Sequence, residues 1–162
     1  ACGAYGRMFH TLFETPVVFV RPFMAYGPRQ PDSKLVPYVI TSLLQAQPPR
    51  LSSGTWKTDW VYVEDVVEGL VAASRVPNIE GSTFDLGSGV LTSIREVVGH
   101  LVEIVGSETR PLFGALPDRP MEPIRNADIA TCRQKLGWQA RVSLREGLER
   151  TVSWHKRSLN EA

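Results

Sequence analysis

The segment Pro117-Asp118-Arg119-Pro120-Met121-Glu122 sets one guanidinium between two nearby prolines. Arg presents a forked set of donors matched to phosphate or carboxylate, and flanking prolines lower the entropy lost in holding it still. A surface ion pair of Arg119 with Asp118 or Glu122 uses the same residues, and both readings stay open. A second segment, Phe23-Met24-Ala25-Tyr26-Gly27-Pro28-Arg29-Gln30, is aromatic-rich and stiffened by proline, suited either to a pocket wall or to a well-packed crossover loop.

Other catalytic patterns fail. Gly87-Ser88-Gly89 sits between an expected strand and an expected helix, where a phosphate-cradling loop would sit, but the third glycine of Gly-x-Gly-x-x-Gly falls at Thr92. A plain strand-to-helix turn is the stronger reading. His10, His100 and His155 each lie in an expected helix with no second ligand at metal spacing. Glu14, Glu96 and Glu103 fall one turn from His10 or His100, the spacing of solvated surface pairs. Cys2 and Cys132 are too few for a disulfide framework, so a reducing, cytoplasmic setting is expected, with no metal.

These residues must be positioned by a mixed α/β chain. Tyr5, Met8, Phe9 and Leu12 repeat at helical spacing, predicting an opening helix that runs to about Phe13 and stops before Pro16. It has no cap before it, as expected of a piece of a longer protein. Val17 to Val20 is a continuous apolar run, predicting a strand buried on both faces, as in a parallel sheet. The stretch from Arg21 to Pro31 is then a loop leaving that strand's carboxyl end, where open α/β sheets build ligand crevices.

Leu35, Val36, Val39, Ile40, Leu43 and Leu44 predict an amphipathic helix closed by Pro48-Pro49, followed by a short strand and turn over Leu51 to Gly54. Asp59 to Val63 reads as a strand end. Glu64-Asp65 opens a helix carrying Val66, Val67, Leu70 and Val71. Thr83 to Leu86 is a short strand, and the capping box Ser93-Ile94-Arg95-Glu96 opens the clearest helix, through Val105. Pro111 to Arg125 holds four prolines and reads as an irregular segment over the surface or over a site. Asp128 to Leu136 is a helix ended by Gly137, and the box Ser143-Leu144-Arg145-Glu146 opens a final helix along Leu144, Leu148 and Val152.

With 162 residues, 43% of them apolar, the chain is read as a single domain, 1–162, with a real core. Its 18 Lys+Arg against 17 Asp+Glu form no long run of one sign, which argues against nucleic acid or an acidic membrane as partner. No apolar stretch approaches the roughly 20 residues needed to span a bilayer.

Taken in order, the segments resemble the extended short-chain dehydrogenase/reductase family, in its sugar-nucleotide epimerase/dehydratase branch. The resemblance rests on Pro16-Val17-Val18-Phe19-Val20-Arg21-Pro22-Phe23 running into Tyr26-Gly27-Pro28-Arg29-Gln30, and on Lys34-Leu35-Val36-Pro37. It continues in Asp59-Trp60-Val61-Tyr62-Val63-Glu64-Asp65-Val66, Leu86-Gly87-Ser88-Gly89, and Leu136-Gly137-Trp138 followed by Leu144-Arg145-Glu146-Gly147-Leu148. It implies an α/β fold, the C-terminal portion of a Rossmann-type enzyme: the last sheet strands plus a small substrate-binding α/β subdomain. It also implies NAD or NADP in the parent enzyme, held by an N-terminal half whose glycine motif, acid/base tyrosine and partner lysine lie upstream of Ala1. The chain alone is then expected to bind no cofactor and to be inactive.

By that resemblance Pro22 and Phe23 stand beside the nicotinamide and Met24 beside the sugar. Lys34 and Leu35 lie near the sugar-nucleotide, and Leu51 to Ser53 along the nucleobase. Arg119 pairs with the diphosphate, and Glu122 adjoins it. Three positions depart from the family: Met24 where Asn is usual, Thr58 where Arg is usual, and Asp85 where Asn is frequent. The first two replace donors to the diphosphate, with Lys57 left to stand in for part of the missing arginine. The expected partners are a small-molecule substrate, such as a nucleotide sugar, and a second copy in a homo-oligomer or the missing N-terminal half. A stand-alone, non-catalytic binding remnant of the fold is the alternative.

Overall fold

The computed structural model describes residues 2–119 and 123–160, and Glu122 lies outside them. Helix α1 (Cys2–Phe13) leads through an extended turn into strand β1 (Phe19–Pro22), and after Phe23 into β2 (Met24–Tyr26). Helix α2 (Leu35–Leu44), strand β3 (Lys57–Tyr62) and helix α3 (Val63–Arg75) follow. Strands β4 (Thr83–Leu86) and β5 (Leu91–Ser93) precede helices α4 (Ile94–Val105), α5 (Ile129–Leu136) and α6 (Leu144–Asn160).

Two small sheets share the work. Strands β1 and β4 run parallel, from Phe19↔Thr83 to Pro22↔Leu86. In the second sheet β3 is central, parallel to β2 and antiparallel to β5. The sheets join at Phe23, whose N–H donates to the Leu86 carbonyl at 2.9 Å.

Strand β3 divides two cores because its side chains alternate between faces. Trp60 and Tyr62 join Tyr26, Ile40, Leu101 and Leu148 in one core, between α2, α4 and α6. Val61 joins Phe84, Leu86, Cys132 and Trp138 in the other. The helix ends behave as their residues dictate. Ser93 and Glu96 close the reciprocal capping box of α4, which ends at Gly106 with φ 73°. Asp128 caps α5, and Gly137 stops it with φ 62°. The Ser143 hydroxyl accepts from the Glu146 N–H at 3.2 Å at the start of α6.

Several expectations are corrected. The strand expected over Val17–Val20 starts at Phe19 and is only half-buried, because β4 is its one paired neighbour among the described residues. The expected loop after it contains β2, whose partners Trp60 to Tyr62 are too distant in sequence for a local pattern to reveal. No strand forms over 51–54: Leu51 and Ser52 exchange backbone bonds with Leu112, Gly114 and Leu116 of the irregular segment. Helix α3 buries Val66, Gly69 and Ala73 and leaves Val67, Leu70 and Val71 exposed. Its seam is built of small residues, and a Cβ on Gly69 would meet both Leu86 methyls at 2.7 Å. Strand β5 is additional; it pairs with β3, and the Trp60 indole N–H donates to its Thr92 carbonyl at 3.1 Å.

Candidate functional site

The carboxyl ends of β1 and β4 lie side by side, so Pro22, Phe23 and Met24 border the Gly87-Ser88-Gly89 turn. Pro22 is exposed, Phe23 half-buried and Met24 38% exposed, an arrangement suited to a crevice wall. Arg21 and Asp85 are register partners, joined by Arg21 Nε and a second guanidinium nitrogen to Asp85 Oδ1, each at 2.7 Å. The other oxygen, Oδ2, accepts from the Asp128 N–H at 3.4 Å. Asp85, expected among the substrate residues, thus has both carboxylate oxygens engaged within the fold.

The glycine turn is an anion cradle filled from inside. Ser88 N–H and Ser88 Oγ donate to Asp59 Oδ1, both at 2.7 Å. Gly89 N–H donates to Oδ2 at 2.8 Å, and Ala127 N–H to the same oxygen at 3.2 Å. Asp59 is fully buried, and successive N–H groups converging on a carboxylate form the kind of nest that elsewhere holds phosphate. A Cβ on Gly87 would lie 2.6 Å from Asp59 Oδ2, so glycine is required for this approach. The turn is therefore structural, the stronger of the two readings its sequence allowed. Asp65 works similarly, accepting from the Arg141 and Val142 N–H groups at 3.0 and 3.1 Å. Asp59 and Asp65 were missed as anchors; a carboxylate inside the apolar run Asp59-Trp60-Val61 was the available signal.

On the far side of β3 the fold brings two of the expected segments together. Ser53 donates to Asp118 Oδ1 twice, through its N–H at 3.0 Å and its hydroxyl at 2.9 Å. These bonds hold the Asp118 carboxyl below its ordinary range. Arg119, exposed, follows directly, so the 51–53 segment and the arginine are neighbours. Arg95 reinforces the same place: its guanidinium donates to the Ser53 carbonyl at 2.7 Å and lies 4.0 Å above the Phe113 ring. Sequence reasoning passed over Arg95 and Phe113, which carry no motif.

Lys57 is exposed at the start of β3, opposite Ser93, and close enough to Glu96 to help hold that carboxyl down, after the larger effect of the Ser93 hydrogen bonds. Thr58 is buried at 6% exposure and Leu51 at 4%, with Leu51 in the α2–α4–α6 core. Both side chains point into the protein, and the Leu51 backbone holds the segment that carries Ser53. Lys34 is exposed just before α2 and Leu35 half-buried in its first turn.

Arg95 and Arg119 thus adjoin Ser53, and Lys57 opens β3 four residues beyond it. His10 Nδ1 contacts the Thr15 carbonyl at 3.0 Å, and the buried Cys132 thiol is pushed up by burial. Among the described residues no cluster of His, Cys, Asp or Glu could hold a metal ion, and no helix is long and apolar enough to cross a membrane.

Against known proteins, residues 3–87 match the model of the NAD dependent epimerase/dehydratase family. A UDP-glucose 4-epimerase of Mycolicibacterium smegmatis is 32% identical over 157 residues, covering 94% of this chain and 49% of its own length. Among solved structures, an epimerase from Methanothermobacter thermautotrophicus superposes with a TM-score of 0.90 at 28% identity, over 98% of this chain and 48% of that one. A UDP-glucuronic acid 4-epimerase from Bacillus cereus, solved with UDP-glucuronic acid and NAD, gives 0.88 at 30% identity, over 96% of this chain and 50% of that one. The chain spans about half the length of the curated relatives it matches.

Proposed function

Because this chain belongs to the NAD dependent epimerase/dehydratase family, we propose that it is the substrate-binding portion of such an enzyme, acting on a nucleotide-linked sugar. The observation that carries this reading is the double hydrogen bond from Ser53 to Asp118, which brings the 51–53 and 117–119 segments together, with Arg95 donating to the Ser53 carbonyl and Lys57 four residues on. Cations on a stiff, proline-flanked support match a diphosphate. With Thr58 buried in place of the usual arginine, Lys57 and Arg119 carry most of that attraction.

The nicotinamide cofactor fits this chain poorly. Its glycine turn is occupied by Asp59, leaving no room for a pyrophosphate, and Pro22 and Phe23 offer only a wall. None of its tyrosines has a lysine four residues on, so these 162 residues are expected to bind substrate without turning it over. The cofactor and the acid/base pair are assigned to a dinucleotide-binding half outside this chain. Such a half would also cover Tyr5, Phe9, Leu12 and Phe13, which α1 leaves exposed, and the open edge of β1.

Calorimetric titration with UDP-glucose tests the proposal. Saturable binding is expected, weakened about tenfold or more by Arg119→Ala, as for loss of a charge-assisted hydrogen bond. A chain that melts cooperatively yet takes up no UDP-glucose, or binds it equally well without Arg119, contradicts it.

A further inference from the structure

Ser53 stands between two opposite charges. Its carbonyl accepts from the Arg95 guanidinium at 2.7 Å, while its N–H and hydroxyl donate to Asp118 Oδ1 at 3.0 and 2.9 Å. Arg95 and Asp118 form no ion pair with each other among the described residues, and both are exposed. A molecule arriving at Ser53 therefore meets a cation and an anion that have not neutralised one another.

The contact also reverses the polarity that the 51–53 segment shows to a ligand. A backbone segment offers its N–H groups as donors, but the Ser53 N–H is already spent. Its hydroxyl is spent on the same Asp118 oxygen, with Thr55 Oγ1 2.9 Å away. These bonds, with a smaller contribution from the Ser52 hydroxyl, hold the Asp118 carboxyl below its ordinary range and so charged at neutral pH. Because both Ser53 bonds end on Oδ1, the second oxygen, Oδ2, keeps lone pairs for another donor. The segment thus presents an acceptor where its backbone alone would present a donor.

That pair of charges discriminates among ligands. A bare phosphate or diphosphate is attracted by Arg95 and Arg119 and repelled by Asp118 at short range, so the two effects offset. A group that sets an acceptor beside a donor satisfies both charges at once. The edge of uracil, a carbonyl next to a ring N–H, is of that kind. Phe113 lies under the Arg95 guanidinium, its ring centroid 4.0 Å away, and helps to hold the fork of donors in one plane.

We propose that Asp118 is a specificity-determining residue of this surface: its Oδ2 accepts the ring N–H of a nucleobase whose neighbouring carbonyl takes a donor from Arg95. The surface then selects a uracil-type edge over a diphosphate alone. This inference rests on the nucleotide-sugar reading above and adds to it the group that recognises the base.

Calorimetry on the full chain compares UDP with UDP methylated at the ring N–H of its uracil, which carries the same phosphates without the donor. UDP is expected to bind about tenfold or more tightly, as for a hydrogen bond to a charged group. In Asp118→Asn one oxygen can still accept from Ser53 while the other becomes an NH₂, so the preference should shrink to about twofold or less. Asp118→Ala, which removes the acceptor outright, should do the same and decides the matter if the amide distorts the loop. Equal binding of the two ligands by the parent chain, or a preference that persists in both variants, overturns the proposal and leaves the nucleotide-sugar reading in place. Uptake of neither ligand removes that reading, and this inference with it.

Discussion

Replacing Asp59 probes the fold where its two sheets and the irregular segment meet. Both oxygens are committed: Oδ1 to two donors of Ser88, Oδ2 to the N–H groups of Gly89 and Ala127. In Asp59→Asn one oxygen becomes an NH₂, so whichever way the amide turns, a donor faces two donors. Hydrogen bonds to a charged group contribute about 1.5–3 kcal/mol each, and removing one partner of a buried charged network destabilises by about 3–5 kcal/mol. We therefore expect Asp59→Asn to lose about 3 kcal/mol, which lowers the melting temperature by roughly 10 °C in a domain of this size. Asp59→Ala leaves all four donors without a protein acceptor and loses at least as much. It also opens a space the size of a carboxylate, so formate should restore part of the stability of Asp59→Ala and none of that of Asp59→Asn, whose cradle is still filled. Urea denaturation followed by circular dichroism gives the stability differences. An Asp59→Asn variant within about 0.5 kcal/mol of the parent, the range of an ordinary surface change, refutes the assignment of Asp59 as an anchor.

Other predictions rest on single contacts. Tyr26→Phe removes the hydroxyl that donates to the Leu144 carbonyl at 3.0 Å and should lower stability by about 1 kcal/mol, measured by the same denaturation. Gly69→Ala gains about 1 kcal/mol of helix propensity, yet its Cβ would press on Leu86 at 2.7 Å and on Trp138 at 3.1 Å, so overpacking of about 1–3 kcal/mol should win and the melting temperature fall. The buried His155 has its pKa lowered from an ordinary 6.5, so the unfolded chain takes up a proton first as the pH drops. Its contribution is complete above about pH 6.5 and is lost as the pH falls below it. Thermal melts at stepped pH should show that loss, and His155→Phe should flatten it.

Much of this fold is legible in the sequence where a local rule suffices. The capping box at Ser93, the glycine stop at Gly137 and the turn before Pro16 all act within one helical turn, and all appear as expected. What was hidden depends on partners distant along the chain. Strand β2 exists because Trp60 to Tyr62 lie beside it, and α3 faces inward along Gly69 and Ala73 because small residues let Leu86 and Trp138 approach, which a pattern of large apolar residues cannot reveal. The candidate site divides the same way. Arg119 and Ser53 were singled out from chemistry and resemblance, and the fold makes them neighbours; Leu51 and Thr58 sit in the same segments but point into the protein. Asp59 showed in the sequence only as a carboxylate beside an apolar run, and its role becomes readable once the four donors around it are known.

The central claim is that the surface joining Ser53, Lys57, Arg95 and Arg119 binds the nucleotide part of a sugar nucleotide. An amide NMR map of the whole chain titrated with UDP-glucose tests it most directly. The account predicts shifts concentrated at residues 22–24, 51–57, 95 and 117–119, with α6 undisturbed; saturable shifts centred anywhere else would contradict it.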